Sequence, residues 1–147
     1  MIRIEWMNAD HVPQIAEIER LCFNDPWSEN SIATELSSRI SLWLVALDGD
    51  RVVGYVGSQS VLGETDMMNI AVHPDYRRQG IAEKLVLSLV DALKSKGNYC
   101  LTLEVRASNE PAKALYEKLG FTQVGLRPRY YRNPREDACI LRKEWEV

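Results

Sequence analysis

The chain is short of the residues that build metal and disulfide sites. Its 147 residues include two histidines, His11 and His73, and three cysteines, Cys22, Cys100 and Cys139. The cysteines are odd in number and widely spaced, with no Cys-x-x-Cys pair. That argues against a structural zinc site or a disulfide framework, and no metal is expected. There is no signal-peptide pattern and no apolar run long enough to span a bilayer, so the cytoplasm is the default compartment and no membrane partner is expected. A basic excess is missing too: the net charge is −3, whereas general nucleic-acid binders carry a surplus of Lys and Arg. No direct nucleic-acid role is expected. Two phosphate loops are also absent, the Gly-Lys-Ser/Thr of a P-loop and the Gly-x-Gly-x-x-Gly of a dinucleotide fold.

What is present is ordinary for a globular protein: 46% hydrophobic and 27% charged residues. The length suggests a single domain, residues 1–147. Such a chain can bury about two thirds of its unfolded surface. No repeat, linker or low-complexity segment interrupts it.

The strongest local pattern is Asp66 to Lys96. Met67 to Val72 reads as a buried strand, and His73-Pro74-Asp75-Tyr76 as a turn. Arg77-Arg78-Gln79-Gly80-Ile81-Ala82-Glu83 then opens a helix with Ile81, Leu85, Leu89 and Leu93 on one face. Gly97 is placed to end it in the left-handed conformation. A helix start has backbone N–H groups without intrahelical partners and partial positive charge, which suits an anion such as a pyrophosphate. Gly80 removes the Cβ from the approach, Ala82 is nearly as small, and Arg77 and Arg78 add charge. An ordinary strand-to-helix connection with two solvated arginines is the plainer alternative.

The remaining elements follow from hydrophobic period and breakers. Ile2, Ile4 and Trp6 alternate as a strand. Asp10 is placed to cap a helix carrying Val12, Ile15, Ile18 and Leu21-Cys22, which Asn24-Asp25-Pro26 ends. Ser28 is placed to cap a short helix with Ile32 and Leu36 inward. Leu42 to Leu47 and Arg51 to Val61 form a hairpin across Asp48-Gly49-Asp50. Leu62-Gly63-Glu64-Thr65 turns into the next strand. Tyr99 to Val105 is a further strand, and Asn109 caps a helix that runs to Leu119 before Gly120. Phe121 to Gly125 and Asp137 to Leu141 are two last strands, joined by an arginine- and tyrosine-rich loop. The predicted order is β-α-α-β-β-β-α-β-α-β-β, a mixed α/β sheet with hairpins.

Several side chains can carry chemistry. In Leu101-Thr102-Leu103-Glu104-Val105 the apolar residues share one face, and Glu104 shares the other with Thr102. A carboxylate midway along such a strand can act as a general base if it faces a cleft, or can be a salt-bridged surface group. Glu104 also lies where a ribose-binding acid would sit, but the single-glycine loop fits that fold poorly. Tyr116 can donate a proton to a leaving thiolate, or be a core tyrosine. Asn109 reads first as a helix cap. Arg127, Arg129, Tyr130, Tyr131, Arg132 and Arg135 can bind an acidic peptide, RNA or phosphate, or be a solvated loop. Trp27 can line a pocket or anchor its loop.

Arg77-x-x-Gly80-x-Ala82 resembles the acyl-CoA signature of the GCN5-related N-acetyltransferase (GNAT) family. So do the Asn69-to-Arg78 run before it, Leu103 to Asn109, Ala112, Leu115-Tyr116 and Leu119-Gly120-Phe121. Ala82 stands where many members have a second glycine. Pro26-Trp27-Ser28, Arg129-Tyr130-Tyr131 and Arg135-Glu136-Asp137-Ala138 are closest to the RimI-type subgroup, which acetylates the N-terminal alanine of small-subunit ribosomal protein number eighteen. The resemblance implies a GNAT-like mixed, mainly antiparallel sheet splayed near Val72 and Val105, with about four flanking helices.

The resemblance also implies the ligands and their residues. Acetyl-CoA would sit in the splay, against the backbone of Ile70, Ala71 and Val72. Its pyrophosphate would lie on the amides of Arg78, Gln79, Gly80, Ile81, Ala82 and Glu83, with Asn109 on the cofactor arm. A peptide N-terminus, implied to be that of a ribosomal protein, would enter between the Cys22–Ser28 loop, with Trp27, and Tyr130-Tyr131. Glu104 would be the base and Tyr116 the acid. An α-amine, with a pKa of about 7.7–8.0, is easier to deprotonate than a lysine near 10.4. Acetylation of a small amine or of lysines, or acyl-CoA binding without turnover, are the competing functions. A monomer or weak dimer is expected.

Overall fold

The computed structural model describes residues 1–146 and contains the elements in the predicted order. The strands are β1 (Ile2–Trp6), β2 (Ser41–Asp48), β3 (Arg51–Val61), β4 (Glu64–Val72), β5 (Cys100–Arg106), β6 (Thr122–Tyr131) and β7 (Glu136–Glu144). The helices are α1 (Val12–Cys22), α2 (Glu29–Glu35), α3 (Ile81–Ser95) and α4 (Glu110–Lys118). Among the described residues the strands form a seven-stranded sheet in the order β1-β2-β3-β4-β5-β7-β6. Its pairings are antiparallel except that of β4 with β5.

Helices cover both faces, and β2 shows how the sequence specifies this. Its run Leu42-Trp43-Leu44-Val45-Ala46-Leu47 is apolar at every position because both of its sides are buried. Leu42, Leu44 and Ala46 join the core with Ile81, Leu85, Leu89 and Leu93 of α3 and Tyr116 of α4. Trp43, Val45 and Leu47 join a second core with Val12, Ile15 and Ile18 of α1 and Ile32 of α2. The predicted face of α3 is buried throughout, and Gly97 ends that helix at φ +84°.

The parallel contact is the feature that makes a site. β4 and β5 are in register only from Glu64↔Cys100 to Asp66↔Thr102. Beyond it β4 stays with β3, β5 stays with β7, and the two edges part. A bulge marks the parting. Gly57 faces Asn69 while Ser58 faces Met67, so Met68 is an extra residue in β4.

Four sequence expectations change. Asp10 does not cap α1; Asn8 accepts from Asp10 N–H and caps a 3₁₀ turn, Ala9–His11, that leads into the helix. Asn8 lies two residues earlier, and the extra turn hides the signal. Leu36 is exposed, because α2 stops one residue before it and Ile32 alone of that pair points inward. The Arg77–Glu83 stretch is loop until Gly80, and α3 begins at Ile81. Tyr130 and Tyr131 are not in a loop but at the end of β6, which is twice the expected length; the connection is only 132–135.

Candidate active site

The splay opens a cleft of about 1110 Å³ that runs from the start of α3 to the end of β6. Its walls include Cys22, Trp27, Met67 to Val72, Arg77, Arg78, Gly80 to Glu83, Leu103 to Arg106, Asn109, Tyr116, Tyr130 and Tyr131. Every expected site residue except Gln79 therefore lines one cavity, and Gln79 is exposed within the same loop.

At one end, α3 starts on Gly80, whose φ of +73° and ψ of 17° is left-handed and costs glycine nothing. A Cβ there would meet no atom within 4 Å, so the surface above is open. The first intrahelical bond is Lys84 N–H to Gly80 O at 3.1 Å. The amides of Ile81, Ala82 and Glu83 thus lack intrahelical partners and face an anion-favouring field. A Lys118–Glu83 ion pair at 3.1 Å joins this turn to α4. Arg78 sits at φ +64°. Arg77 folds back, donating to Val72 O at 3.4 Å and Cys22 Sγ at 3.3 Å, and braces the wall.

The middle of the cleft is the free edge of β4. His73 N–H bonds Val53 O, so by antiparallel alternation Ala71 exchanges backbone bonds with Tyr55. Ile70 and Val72 then direct their backbone groups away from β3, toward the opening. An acyl chain with amides meets there an edge that no strand covers, where Ile70 N–H is held by Asn69 Oδ1 at 3.1 Å and Val72 O by Arg77 at 3.4 Å, followed by the amides of α3. This donor set fits the pantetheine and pyrophosphate of a CoA thioester.

The other end holds the candidate base and acid, Glu104 and Tyr116. Glu104 projects from β5 and accepts from the Tyr130 hydroxyl at 3.3 Å. Tyr130 packs edge-on against Tyr131, with ring centroids 5.1 Å apart, and Arg106 lies 4.4 Å over the Tyr131 ring. Burial pushes the Tyr131 phenol up to about 12. Tyr116, on α4, is 5% exposed, packs edge-on with Phe121, and its hydroxyl reaches Met67 Sδ at 4.0 Å. Burial raises its pKa to about 12, so it keeps its proton across the neutral range. Asn109 caps α4 through Ala112 N–H at 3.2 Å. Trp27 both lines the cleft and anchors its loop, edge-on to Trp43 at 5.5 Å.

Sequence reasoning missed the residues that brace this end. Glu19 is 1% exposed. Its Oε1 accepts from Trp27 N–H at 2.8 Å, and its Oε2 accepts from the Tyr55 hydroxyl and from Asn69 Nδ2. Burial raises its pKa, and the hydrogen bonds from Tyr55 and Trp27 oppose that. The available signal was a carboxylate on an apolar helix face, at Val12, Ile15, Glu19 and Cys22. Above it, Asn24 donates to Asn133 O at 2.6 Å and Asn133 donates to Asp25 at 3.2 Å, joining the α1–α2 loop to the β6–β7 turn.

A mixed sheet splayed over the first turn of a helix, with a carboxylate and a phenol in the gap, fits an acyl-CoA-dependent transferase. The sequence model of the acetyltransferase (GNAT) family matches residues 12–121, and the chain belongs to that family. It is 38% identical over 143 residues to the Escherichia coli K12 [ribosomal protein bS18]-alanine N-acetyltransferase, covering 96% of each chain. The crystal structure of the E. coli ribosomal-protein-S18-alanine N-acetyltransferase superposes with a TM-score of 0.92 at 36% identity, over 100% of this chain and 96% of that one. Arabidopsis thaliana NAA60, solved with acetyl-CoA, shares the fold with a TM-score of 0.89 at 18% identity, over 98% of both chains.

Proposed function

We propose that this protein is an acetyl-CoA-dependent N-terminal acetyltransferase whose substrate is the N-terminal alanine of ribosomal protein bS18. The observation that carries the reading is that Glu104 and Tyr116 enter one cleft from different elements, beyond a helix start suited to a pyrophosphate. Similarity to enzymes of that specificity, over 96% of each chain, supports the choice of substrate. Such a substrate puts the enzyme in the cytoplasm.

Each residue then has a role. The amides of Ile81, Ala82 and Glu83 hold the pyrophosphate, and the Ile70 carbonyl and Val72 N–H on the open edge of β4 align the pantetheine. Asn109, at the start of α4, borders the same arm. Trp27, Tyr130 and Tyr131 bound the entry of the peptide. Glu104, directly or through a water, takes the proton that the α-ammonium must lose. Its bond to Tyr130 orients the carboxylate. The amine nitrogen attacks the thioester carbon; an N–C bond forms and the C–S bond breaks. A backbone N–H of the splayed strand near Val72 polarises the carbonyl as its oxygen gains charge. Tyr116, still protonated, gives its proton to the leaving thiolate, and the second proton, which the attacking nitrogen sheds as it becomes an amide, passes through solvent and restores the phenol.

The test is to mix the purified protein with acetyl-CoA and a peptide bearing the bS18 N-terminus, and to follow CoA release and peptide mass. The expected result is one acetyl group, lost when the α-amine is blocked. Transfer only to lysine side chains or small amines, or CoA binding without transfer, would overturn the reading.

A further inference from the structure

Glu19 is a carboxylate held away from water, with no cation paired to it among the described residues, and three donors converge on it. Burying such a charge is costly unless its hydrogen bonds are complete. Two of the donors belong to separate segments that line the cleft. Trp27 N–H comes from the α1–α2 loop, and Asn69 Nδ2 from the β4 bulge at 2.5 Å. The third, Tyr55, comes from β3 beneath them. Asn69 is itself fixed at its other end, where Oδ1 accepts from Ile70 N–H at 3.1 Å. The Asn69 amide is therefore held with its nitrogen toward Glu19 and its oxygen toward the strand that borders the thioester site. The helix start that suits the cofactor's phosphates is built from other residues.

We propose that Glu19 is a positioning residue that sets the width of the acceptor pocket, tying the Trp27 loop to the Asn69 bulge so that a peptide terminus meets preformed walls. The inference rests on the acetyltransferase reading for its kinetic consequence, but its structural consequence stands without it. Glu19→Gln leaves one acceptor oxygen for three donors: kept on Tyr55 and Asn69, it turns the NH₂ toward Trp27 N–H, which loses its acceptor, whereas a carboxylate at position 69 lets the amide turn round and accept from Trp27 again. Walls that are no longer tied must be ordered by the substrate, which raises KM for the peptide.

The experiment has two readouts. In the free protein, hydrogen exchange at the Trp27 amide should speed up at least tenfold in Glu19→Gln. In the assay, peptide KM should rise at least tenfold while the Kd for acetyl-CoA stays within twofold. The double variant Glu19→Gln with Asn69→Asp reverses the donor and the acceptor of the Glu19–Asn69 bond. It should recover most of the peptide KM, and it carries the test if the single variant does not fold. Unchanged Trp27 exchange, an equal loss of acetyl-CoA affinity, or a double variant no better than the single would each overturn the proposal. Absence of acetyl transfer in the wild-type protein would instead overturn the function proposed above and leave the exchange result to decide the structural claim.

Discussion

The Tyr130 hydroxyl donates to Glu104 Oε1 at 3.3 Å, across strands that are not neighbours in the sheet: β5 and β6 are separated by β7. The bond therefore spans the width of two strand spacings on the open face, and it puts a donor on the candidate base before any substrate arrives. Replacing Glu104 by Gln removes the proton acceptor and keeps the shape. Turnover should fall roughly a hundredfold to ten-thousandfold, the usual worth of acid–base help. Acetyl-CoA affinity, measured by calorimetry, should hold within about twofold. Tyr130→Phe should cost much less, roughly two- to tenfold, since it removes one hydrogen bond of about 0.5–1.5 kcal/mol. Near-normal turnover in Glu104→Gln would take that residue out of the role.

Tyr116→Phe separates chemistry from packing. The ring remains against Phe121, and the hydroxyl that disappears faces a thioether, Met67 Sδ. The fold should be kept while turnover drops at least tenfold. The pH dependence of stability gives an independent check. The folded phenol sits at about 12 because of burial, against about 10 when unfolded. A raised pKa in an acid means that the unfolded state ionises first. Wild-type stability should therefore fall relative to Tyr116→Phe as pH rises from 10 toward 12, by about 2–3 kcal/mol at about 1.36 per pH unit. Denaturant titrations at pH 9, 10 and 11 would reveal a flat difference if the phenol were unperturbed.

The sequence carried most of the frame, and particular residues show why. Ile81, Leu85, Leu89 and Leu93 define α3 by period alone, and Gly80 and Gly97 bracket it with left-handed residues at each end. Val72 and Val105 could be expected at a splay only through the family resemblance. Nothing in a single strand's composition says where its partner departs, and the Met68 bulge is a relation between β3 and β4. The length of β6 was hidden for a different reason. It is an edge strand, largely exposed, with Pro128 inside and a register shift between Arg127 and Tyr131, so neither alternation nor apolarity marks it. Glu19 was hidden because its three donors come from distant segments, Trp27, Tyr55 and Asn69.

Gly80→Ala tests the helix start. The backbone there is left-handed, and alanine in that conformation costs roughly 1–2 kcal/mol. No neighbour clashes with the new methyl in the free protein. The loss of stability should therefore stay within that range in denaturant unfolding. Acetyl-CoA should suffer more, because the methyl occupies the space through which a phosphate approaches the amides of Ile81 and Ala82. An affinity loss of at least tenfold is expected by calorimetry. A variant that loses stability but binds acetyl-CoA normally would move the pyrophosphate away from this turn.

Gly57→Ala probes the other side of the bulge. Gly57 pairs with Asn69 across β3 and β4, and a Cβ there would run into the six-membered ring of Trp43. That ring cannot step aside freely. It stacks on Tyr55 at 5.9 Å, meets Trp27 edge-on, and donates its indole N–H to Glu35 at 3.1 Å. Overpacking of this kind costs about 1–3 kcal/mol. The displaced indole would push on Trp27 and on the Tyr55 that bonds Glu19, so the strain runs into the peptide end of the cleft and not toward α3. Denaturant unfolding should show the stability loss. Steady-state kinetics should show a higher peptide KM with acetyl-CoA binding within about twofold of wild type. An unstrained Gly57→Ala protein with normal kinetics would mean that Trp43 has room to move, and that the aromatic layer under the cleft is looser than its contacts indicate.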